Sequence, residues 1–234
     1  MRQIFTFLKP VALGFALCAI FALTQGTARA DEVTISGHTN GCFGTGCSPT
    51  NTSAQQTDTI IGLTYNNSTF SGTTSGGFLG IGNTGQPPGM QNVNNLGSFT
   101  LDGGATGSYD GESFTLLVTF TAPPNVTGGP NTFQALLTGS VSATRNGGVF
   151  IDFDNTPRLF TFSFMNGEQL VTGSFLFAVN DASVIADGTI ALSGQITQAT
   201  QATPEPTTIL LISTGLVGVA GSIRRRRRAQ QQHS

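Results

Sequence analysis

Apolar and polar residues alternate along much of the middle of this 234-residue chain. In Ser113–Thr121 every second side chain is apolar, and Arg158–Met165 repeats the pattern with three phenylalanines. A period of two with one apolar face is typical of half-buried antiparallel strands. The other candidate strands are Thr59–Tyr65, Gly97–Leu101, Phe133–Val141, Val149–Phe153, Phe175–Val179 and Ile190–Ile196. About nine short strands predict an all-β fold, an antiparallel two-sheet β-sandwich.

Turn clusters and polar stretches separate these strands. Asn146-Gly147 and Asn166-Gly167 are the strongest hairpin signals, since Asn-Gly suits the tight turns that join neighbouring strands. Ser36–Asp58 is polar and predicts a surface loop, and Thr73–Asn95 predicts a long loop between strands. Gln195–Thr203 predicts a polar linker that follows the sandwich.

The N-terminus has the pattern of a secretory signal peptide. Arg2 and Lys9 form a positively charged region before an apolar stretch, Val11–Leu23, which is too short to span a bilayer comfortably. Ala28 and Ala30 fit the small-x-small cleavage pattern, so we expect the mature chain to begin at Asp31. The alternative is an uncleaved N-terminal membrane anchor.

The C-terminus places three features in a fixed order. The tripeptide Pro204-Glu205-Pro206 is followed by the uncharged run Thr207–Ile223, which as a helix would rise about 26 Å and just span a bilayer core. Five consecutive arginines come next: Arg224, Arg225, Arg226, Arg227 and Arg228. By the positive-inside rule we expect this cluster to hold its end of the segment in the cytoplasm.

Two other interpretations of this tail are less favourable. A buried core helix is a poor alternative because five arginines cannot follow it into an apolar interior. A basic arm for nucleic acid is also disfavoured, since an apolar run of membrane length comes directly before the arginines. The sequence therefore predicts a single C-terminal transmembrane helix with a cationic end.

These three parts resemble the PEP-CTERM sorting tail of Gram-negative, often biofilm-forming bacteria, over residues 203–228. The same tail is sometimes labelled an ice-binding protein C-terminal domain, which by itself implies nothing about ice. The resemblance implies export by the Sec translocon and transient anchoring in the inner membrane. It also implies cutting near Pro204, Glu205 and Pro206 by an exosortase-like enzyme, followed by a cell-surface or extracellular location. More weakly, Asn95–Leu101 and Val149–Asn155 resemble other anchor-tailed β-sandwich proteins.

The chain therefore divides into a signal peptide (1–30), an ectodomain (31–194), a linker (195–203) and a sorting tail (204–228). Between Asp31 and Thr203 there are eleven acidic residues but only two basic residues, Arg145 and Arg158, which gives a net charge of −9. Such a charge argues against nucleic acid or anionic lipid as a partner.

Two cysteines, Cys42 and Cys47, remain after removal of the signal peptide. An even number in an oxidising compartment predicts one small disulfide loop. A zinc site is the alternative, but zinc is usually bound by four ligands. Only one further candidate ligand, His38, lies near the two cysteines in the sequence. The four residues between the cysteines also differ from the two of redox motifs.

The sequence offers no convincing catalytic constellation. His38 is the one histidine between Asp31 and Thr203, and we expect it to be an exposed loop residue. The carboxylate pairs Asp110 with Glu112 and Asp152 with Asp154 share strand faces, but glycosidase acids usually come from separate elements. We predict that the protein is not an enzyme and uses no cofactor.

Asp152, Asp154 and Asn155 form the most suggestive local motif. Their oxygens are the ligands that Ca²⁺ prefers, so they are a weak calcium candidate. The alternative, which we favour, is an edge strand whose acidic residues discourage pairing with another sheet.

Three functions remain open. The first is a non-enzymatic surface or matrix protein with structural or adhesive contacts, including contacts with exopolysaccharide. The second is a carbohydrate- or Ca²⁺-binding module, and the third, less favoured, is a secreted hydrolase. Ice binding is more remote, because the threonines show no regular array along the sequence.

Overall fold

The computed structural model describes residues 28–54, 56–82 and 92–203. The predicted transmembrane segment, the sorting tail and nearly all of the signal peptide lie outside these ranges. Every regular element in the described ranges is a β-strand, and residues Arg29–Ala202 form one compact unit. No helix in the described ranges is long and apolar enough to cross a membrane.

The described residues form eighteen strands. In chain order they are β1 (Ala28–Ala30), β2 (Thr34–Phe43), β3 (Thr57–Ile60), β4 (Leu63–Asn66), β5 (Ser68–Thr73), β6 (Leu79–Ile81), β7 (Asn92–Val93), β8 (Ser98–Leu101), β9 (Gly107–Ser108), β10 (Ser113–Ala122), β11 (Thr127–Gly128), β12 (Thr132–Ser142), β13 (Asn146–Phe153), β14 (Arg158–Asn166), β15 (Gln169–Val179), β16 (Ala182–Ile185), β17 (Gly188–Ala191) and β18 (Gly194–Thr203).

The strands form three sheets. The eight-stranded sheet has the order β16-β13-β12-β10-β2-β5-β7, with β9 beside β12. The six-stranded sheet has the order β1-β18-β15-β14-β11, with β6 beside β18, and the four-stranded sheet has the order β17-β8-β4-β3. Apart from the pair β1–β18, whose direction is not described, the neighbouring strands run antiparallel, except that β5 and β7 run parallel. The all-β, antiparallel prediction is confirmed.

Ring contacts show how the sheets are layered. On β10, Phe120 packs against Phe160 and Phe175 of the six-stranded sheet, with ring centroids 4.9 and 5.1 Å apart. On the same face of β10, Phe114 packs against Phe99 of the four-stranded sheet at 5.0 Å. The eight-stranded sheet is therefore one layer, and the two smaller sheets pack on its inner face. Each such aromatic pair adds about 0.5–1.5 kcal/mol beyond the burial of apolar area.

The sheet count differs from the prediction because one expected strand is divided. The segment Ile190–Ile196 was expected to be continuous, but β17 ends at Ala191 and β18 begins at Gly194. Between them, Leu192 exchanges backbone hydrogen bonds with Leu96 and Gly97. The chain crosses there from the four-stranded to the six-stranded sheet, so the layer opposite the eight-stranded sheet consists of two sheets.

The predicted surface loop Ser36–Asp58 is wrong in its first part. Ser36–Phe43 belongs to β2, a central strand between β10 and β5. The sequence of this strand lacks the apolar alternation of the other strands because glycines occupy inward positions. A Cβ on Gly37 would lie 2.6 Å from the Phe70 ring, and one on Gly41 would lie 2.3 Å from the Phe114 ring. The neighbouring rings occupy the space that apolar side chains of β2 would otherwise fill.

The expected strand Thr59–Tyr65 is in fact a hairpin. Strands β3 and β4 pair with each other and are joined by Ile61 and Gly62, both with positive φ, 47° and 77°. A positive φ at both central residues is the requirement of a type I′ turn, which isoleucine rarely meets. The Tyr109 hydroxyl donates a 2.6 Å hydrogen bond to the Ile61 carbonyl oxygen and so supports this conformation.

The predicted polar linker Gln195–Thr203 is also corrected by the structure. These residues belong to β18, which pairs with β15 and on its other side with β6. Alternate residues face the interior, and Ile196 and Ala199 are fully buried on either side of a bulge at Gln198, whose φ is 53°. The sequence did not indicate this strand because Ile196 and Ala199 are its only buried residues within the predicted linker, and the other described side chains there are polar or small and at least partly exposed.

The two hairpin signals had different outcomes. Asn166 pairs with Gln169, so the hairpin is confirmed, but its turn residues are Gly167, with a φ of 64°, and Glu168. Asn166 itself is the last residue of β14. In the other hairpin Asn146 already lies in β13 and pairs with Ser142, so the turn lies just before it and Arg145 takes the positive φ of 61°. In the predicted loop Thr73–Asn95, Leu79–Ile81 and Asn92–Val93 are strands, and residues 83–91 lie outside the described ranges.

Candidate functional site

The predicted processing residues lie beyond the end of β18. Thr203 is the last residue of β18, and Pro204 follows it directly in the sequence. The sorting tripeptide is thus attached without a spacer to a strand of the sheet. The predicted processing residues that lie outside the described ranges are Pro204, Glu205, Pro206, Arg224, Arg225, Arg226, Arg227 and Arg228. Their roles in sorting therefore stay predictions from the sequence.

The predicted signal-cleavage site lies at the other end of the described chain. Ala28 and Ala30 form the ends of β1, which lies beside β18 at the edge of the six-stranded sheet. Asp31, the predicted mature N-terminus, is held by its carbonyl oxygen, which accepts hydrogen bonds from the Thr74 hydroxyl at 2.6 Å and from the Gly77 amide at 3.1 Å. Cleavage after Ala30 would remove β1 and leave these hydrogen bonds in place. Cleavage itself stays a prediction.

Cys42 and Cys47 are joined by a disulfide at the end of β2, with their Cα atoms 5.8 Å apart. Gly44 and Gly46 have φ values near 85° and close the short loop between them. His38 lies four residues before Cys42 on the same strand, about 13 Å away along the backbone. Both cysteine sulfurs are in the disulfide, so neither is a free thiolate that could bind a metal together with His38.

His38 is buried in a strand, which corrects the expectation of an exposed loop residue. Its Nε2 atom lies 2.9 Å from the side-chain oxygen of Asn51. Nearby, the Asn40 side-chain amide donates to the carbonyl oxygens of Thr50 and Thr52 at 2.6 and 2.5 Å. These contacts hold the segment after the disulfide loop against β2. His38 therefore helps to attach this segment to the sheet.

The calcium candidate is arranged differently from the sequence expectation. Asp152 and Asp154 are exposed, and the Asn155 side-chain amide donates to Asp181 at 3.1 Å. Asp181 also accepts a 2.9 Å hydrogen bond from the backbone amide of Phe153, so it caps the end of β13. Sequence reasoning missed Asp181, which lies 26 residues after Asn155. No group of three or more His, Cys, Asp or Glu side chains suited to a metal occurs among the described residues.

Asp154 is engaged within its own loop. Its side chain accepts a 3.0 Å hydrogen bond from the backbone amide of Thr156. Hydrogen bonds from the Thr156 side chain and backbone, with the Arg158 charge as a smaller contribution, lower the pKa of Asp154 below its usual value. The carboxylate therefore stabilises a turn. The favoured alternative, an edge strand, is wrong, because β13 lies between β12 and β16 and pairs with both.

The second carboxylate pair, Asp110 and Glu112, lies in a turn before β10. Asp110 accepts a 3.0 Å hydrogen bond from the Gly139 amide, and the backbone of Glu112 bonds to Tyr109 and Leu137. These bonds connect the turn to β12. Tyr109 beside them is fully buried, so the turn is part of the scaffold.

An open groove lies beside β6 and the beginning of β18. It encloses about 580 Å³, within the usual range for ligand sites. Its described lining residues are uncharged and come from five separate stretches of chain: Ser71, Phe78, Gly80, Ile81, Gly82, Asn94, Asn180, Ser193, Gly194 and Gln195. Because these stretches are far apart in sequence, no local motif indicates the groove.

The four-stranded sheet carries a row of threonines that is not evident from the sequence, because it arises only when the strands pair. The residues Thr59, Thr64, Thr100 and Thr189 are direct cross-strand neighbours on four adjacent strands. Hydroxyl pairs lie 3.0 and 2.9 Å apart at the two ends of the row. The next row on the same face holds Thr57, Asn66, Ser98 and Ala191, so the threonines form one line and not the flat array that ice binding needs.

Residues 202–227 match the model of the PEP-CTERM protein-sorting motif. This chain carries a PEP-CTERM sorting motif. The match includes the tripeptide and the apolar run, and it ends within the arginine cluster, of which it covers Arg224, Arg225, Arg226 and Arg227 but not Arg228. No curated protein and no solved structure matches the chain.

The PEP-CTERM motif indicates how the chain is transported. It implies export, a membrane-anchored stage before processing, and recognition by an exosortase. The match begins at Ala202, which is still inside β18, so motif and sheet overlap by two residues.

Proposed function

We propose that this protein is a non-enzymatic component of the cell surface or extracellular matrix, with a β-sandwich that makes structural and adhesive contacts with exopolysaccharide. The observation that carries this proposal is the PEP-CTERM motif joined directly to the last strand of an acidic all-β domain. In this account the Sec translocon exports the chain, the C-terminal segment anchors it transiently in the inner membrane, and an exosortase releases it.

The surroundings of the candidate catalytic groups support a structural role. Asp110, Asp154 and Asp181 accept hydrogen bonds from backbone amides of turns and strand ends. His38 is buried against Asn51. General acid–base chemistry needs a carboxylate or imidazole that can reach a substrate, whereas these groups stabilise the scaffold.

The charge of the domain supports an uncharged or cationic partner. Of its two arginines, Arg145 pairs with Asp187 at 3.0 Å, and Arg158 lies over the Phe133 ring, 4.0 Å from its centroid. Both cations are thus engaged within the domain, and the acidic residues dominate its surface. Nucleic acid and anionic lipid would be repelled by such a surface.

The test is a deletion strain of the producing bacterium, complemented with the full chain. We expect the deletion to reduce the amount or cohesion of the polysaccharide matrix and the full chain to restore it. A chain that carries Asp110→Asn, Asp152→Asn and Asp154→Asn should restore it equally well. An unchanged matrix in the deletion strain would contradict the proposal. Release of soluble oligosaccharide from the matrix by wild-type protein, but not by this variant, would favour the hydrolase instead.

A further inference from the structure

The groove beside β6 has a floor that lacks side chains. Gly80, Gly82 and Gly194 lie along it. A Cβ on Gly82 would lie 3.0 Å from the Cβ of Ser193, and one on Gly194 would lie 2.7 Å from a Leu96 methyl group. A side chain at Gly82 would crowd Ser193 in the wall of the groove, and one at Gly194 would crowd the core, so packing requires glycine at both positions. A ligand can approach the backbone closely along this floor.

Amide and hydroxyl side chains line the walls of the groove. The Asn180 side-chain amide donates a 3.0 Å hydrogen bond to the Ser193 hydroxyl, and the Ser71 backbone amide donates at 3.2 Å to the Asn94 side-chain oxygen. Each bond uses one of the hydrogen-bonding positions that a carboxamide offers, and it fixes the side chain in place. Walls fixed in this way are preorganised to exchange hydrogen bonds with a ligand rich in hydroxyl groups.

Phe78 adds an apolar surface to the groove. Its side chain is 52% exposed, although most phenylalanines of this domain are buried. The ring lies over Gly80, whose Cβ would be 3.8 Å from two ring atoms, so the floor leaves room beside the ring. An exposed aromatic ring beside fixed polar groups suits a ligand that has both an apolar face and hydroxyl groups.

The uncharged lining of the groove favours an uncharged ligand over an anionic or a cationic one. None of its ten described lining residues is charged, although the domain around it carries a net charge of −9. An anionic polymer would meet the acidic surface without a cation to pair with in the groove. A cationic ligand would be expected to use carboxylates, which the described lining lacks.

We propose that this groove binds a segment of neutral polysaccharide, with Phe78 stacked against the apolar face of a sugar ring and Asn94, Asn180 and Gln195 bonded to its hydroxyl groups. This inference rests on the proposed function, because it assigns the contact with exopolysaccharide to one site. It also fits the position of the groove on β18. Gln195 lies at the groove and Thr203 at the sorting end, at most about 26 Å apart along the strand.

The test is direct binding by the full chain, purified in detergent. Cellohexaose and maltohexaose are the neutral probes, and an alginate hexasaccharide is the anionic probe, each titrated by calorimetry. We expect at least one neutral probe to bind and the alginate probe not to bind. Phe78→Ala should weaken binding of the neutral probe at least tenfold, whereas Phe78→Trp should retain it. Leu136→Ala removes a similarly exposed apolar side chain, on β12 and outside the groove, and is the matched control.

Three results would overturn the inference: no binding of either neutral probe, stronger binding of the alginate probe, or neutral binding that Phe78→Ala leaves unchanged. Phe78 is half exposed, so its truncation should not unfold the domain, and the melting temperature of the variant checks this directly. The outcome is separable from the proposed function. A chain with Phe78→Ala that still restores the matrix of the deletion strain would leave the surface role standing and remove only this site.

Discussion

The side-chain amide of Asn67 donates a 2.9 Å hydrogen bond to the side-chain oxygen of Asn40, and both residues are buried. Asn67 also bonds to the Ala54 carbonyl oxygen at 2.6 Å, while Asn40 bonds to those of Thr50 and Thr52. Two interior asparagines thus attach an irregular segment to the central strand β2 and to the residue that follows β4. Without them, the carbonyl groups of this segment would lack partners in a partly buried position.

Replacement of Asn40 with alanine should therefore destabilise the domain strongly. Asn40→Ala removes three hydrogen bonds of a buried side chain, and each such bond contributes about 0.5–1.5 kcal/mol. Chemical denaturation should show a loss of at least about 2 kcal/mol in the free energy of unfolding. Asn131→Ala, at an exposed position, is the control and should change it by less than about 0.5 kcal/mol. Equal stability of the two variants would show that the Asn40 contacts contribute little.

An added side chain in the central strand β2 should destabilise the domain by overpacking the core. A Cβ on Gly41 would lie 2.3 Å from the Phe114 ring, which itself packs against Phe43, Tyr65 and Phe99. Gly41→Ala should destabilise the domain by about 1–3 kcal/mol, since none of these rings can move without disturbing the others. Gly129→Ala, whose Cβ would meet only ordinary contacts at 3.6 Å, should be close to neutral. Thermal unfolding of both variants measures the difference.

The disulfide predicts a redox-dependent stability. Its loop spans a sequence separation of five, so loop closure should contribute about 2 kcal/mol by the chain-entropy model. Reduction with dithiothreitol should lower the free energy of unfolding of the wild-type chain by roughly this amount. The double variant Cys42→Ser with Cys47→Ser should already show the loss and should not respond to dithiothreitol. A wild-type chain that does not respond either would contradict the prediction.

Tyr65 predicts a loss of stability at high pH. Complete burial raises the pKa of its hydroxyl far above the ordinary value of 10.0, and the hydrogen bond with Thr39 only partly offsets this. A group whose pKa is raised by folding stabilises the native state below its unfolded pKa, and that contribution is lost as the pH rises. Above a pH of about 10 the free energy of unfolding should fall by about 1.4 kcal/mol per pH unit for this group.

Tyr65→Phe tests this prediction because it removes the ionisable group and keeps the ring. Its unfolding free energy should depend less steeply on pH between about 10 and 12 than that of the wild type. Some dependence should remain, since burial also raises the pKa of Tyr109. Identical slopes for wild type and variant would show that Tyr65 does not control the alkaline loss of stability.

Alternation was sufficient to predict the strands that bury large side chains on one face. Strands β10, β12 and β14 lie close to their predicted positions, since their phenylalanines and leucines recur at every second residue. The predicted strand Phe175–Val179 is only the second part of β15, which begins at Gln169. The strand β2 was not predicted because Gly37 and Gly41 stand where an apolar side chain would otherwise mark the inward face. Rings of neighbouring strands fill the space beside these two glycines. The groove could not be predicted either, because Phe78, Asn94 and Asn180 approach one another only after three separate stretches of chain have paired.

The central claim is that the β domain is delivered to the cell surface after processing at both ends. The most direct measurement is the intact mass and the cell fraction of the mature protein in its producing bacterium. The account predicts a chain that begins at Asp31, ends near Pro204–Pro206 and is found at the surface or in the medium. A chain that ends at Ser234 and remains in the inner membrane would contradict it.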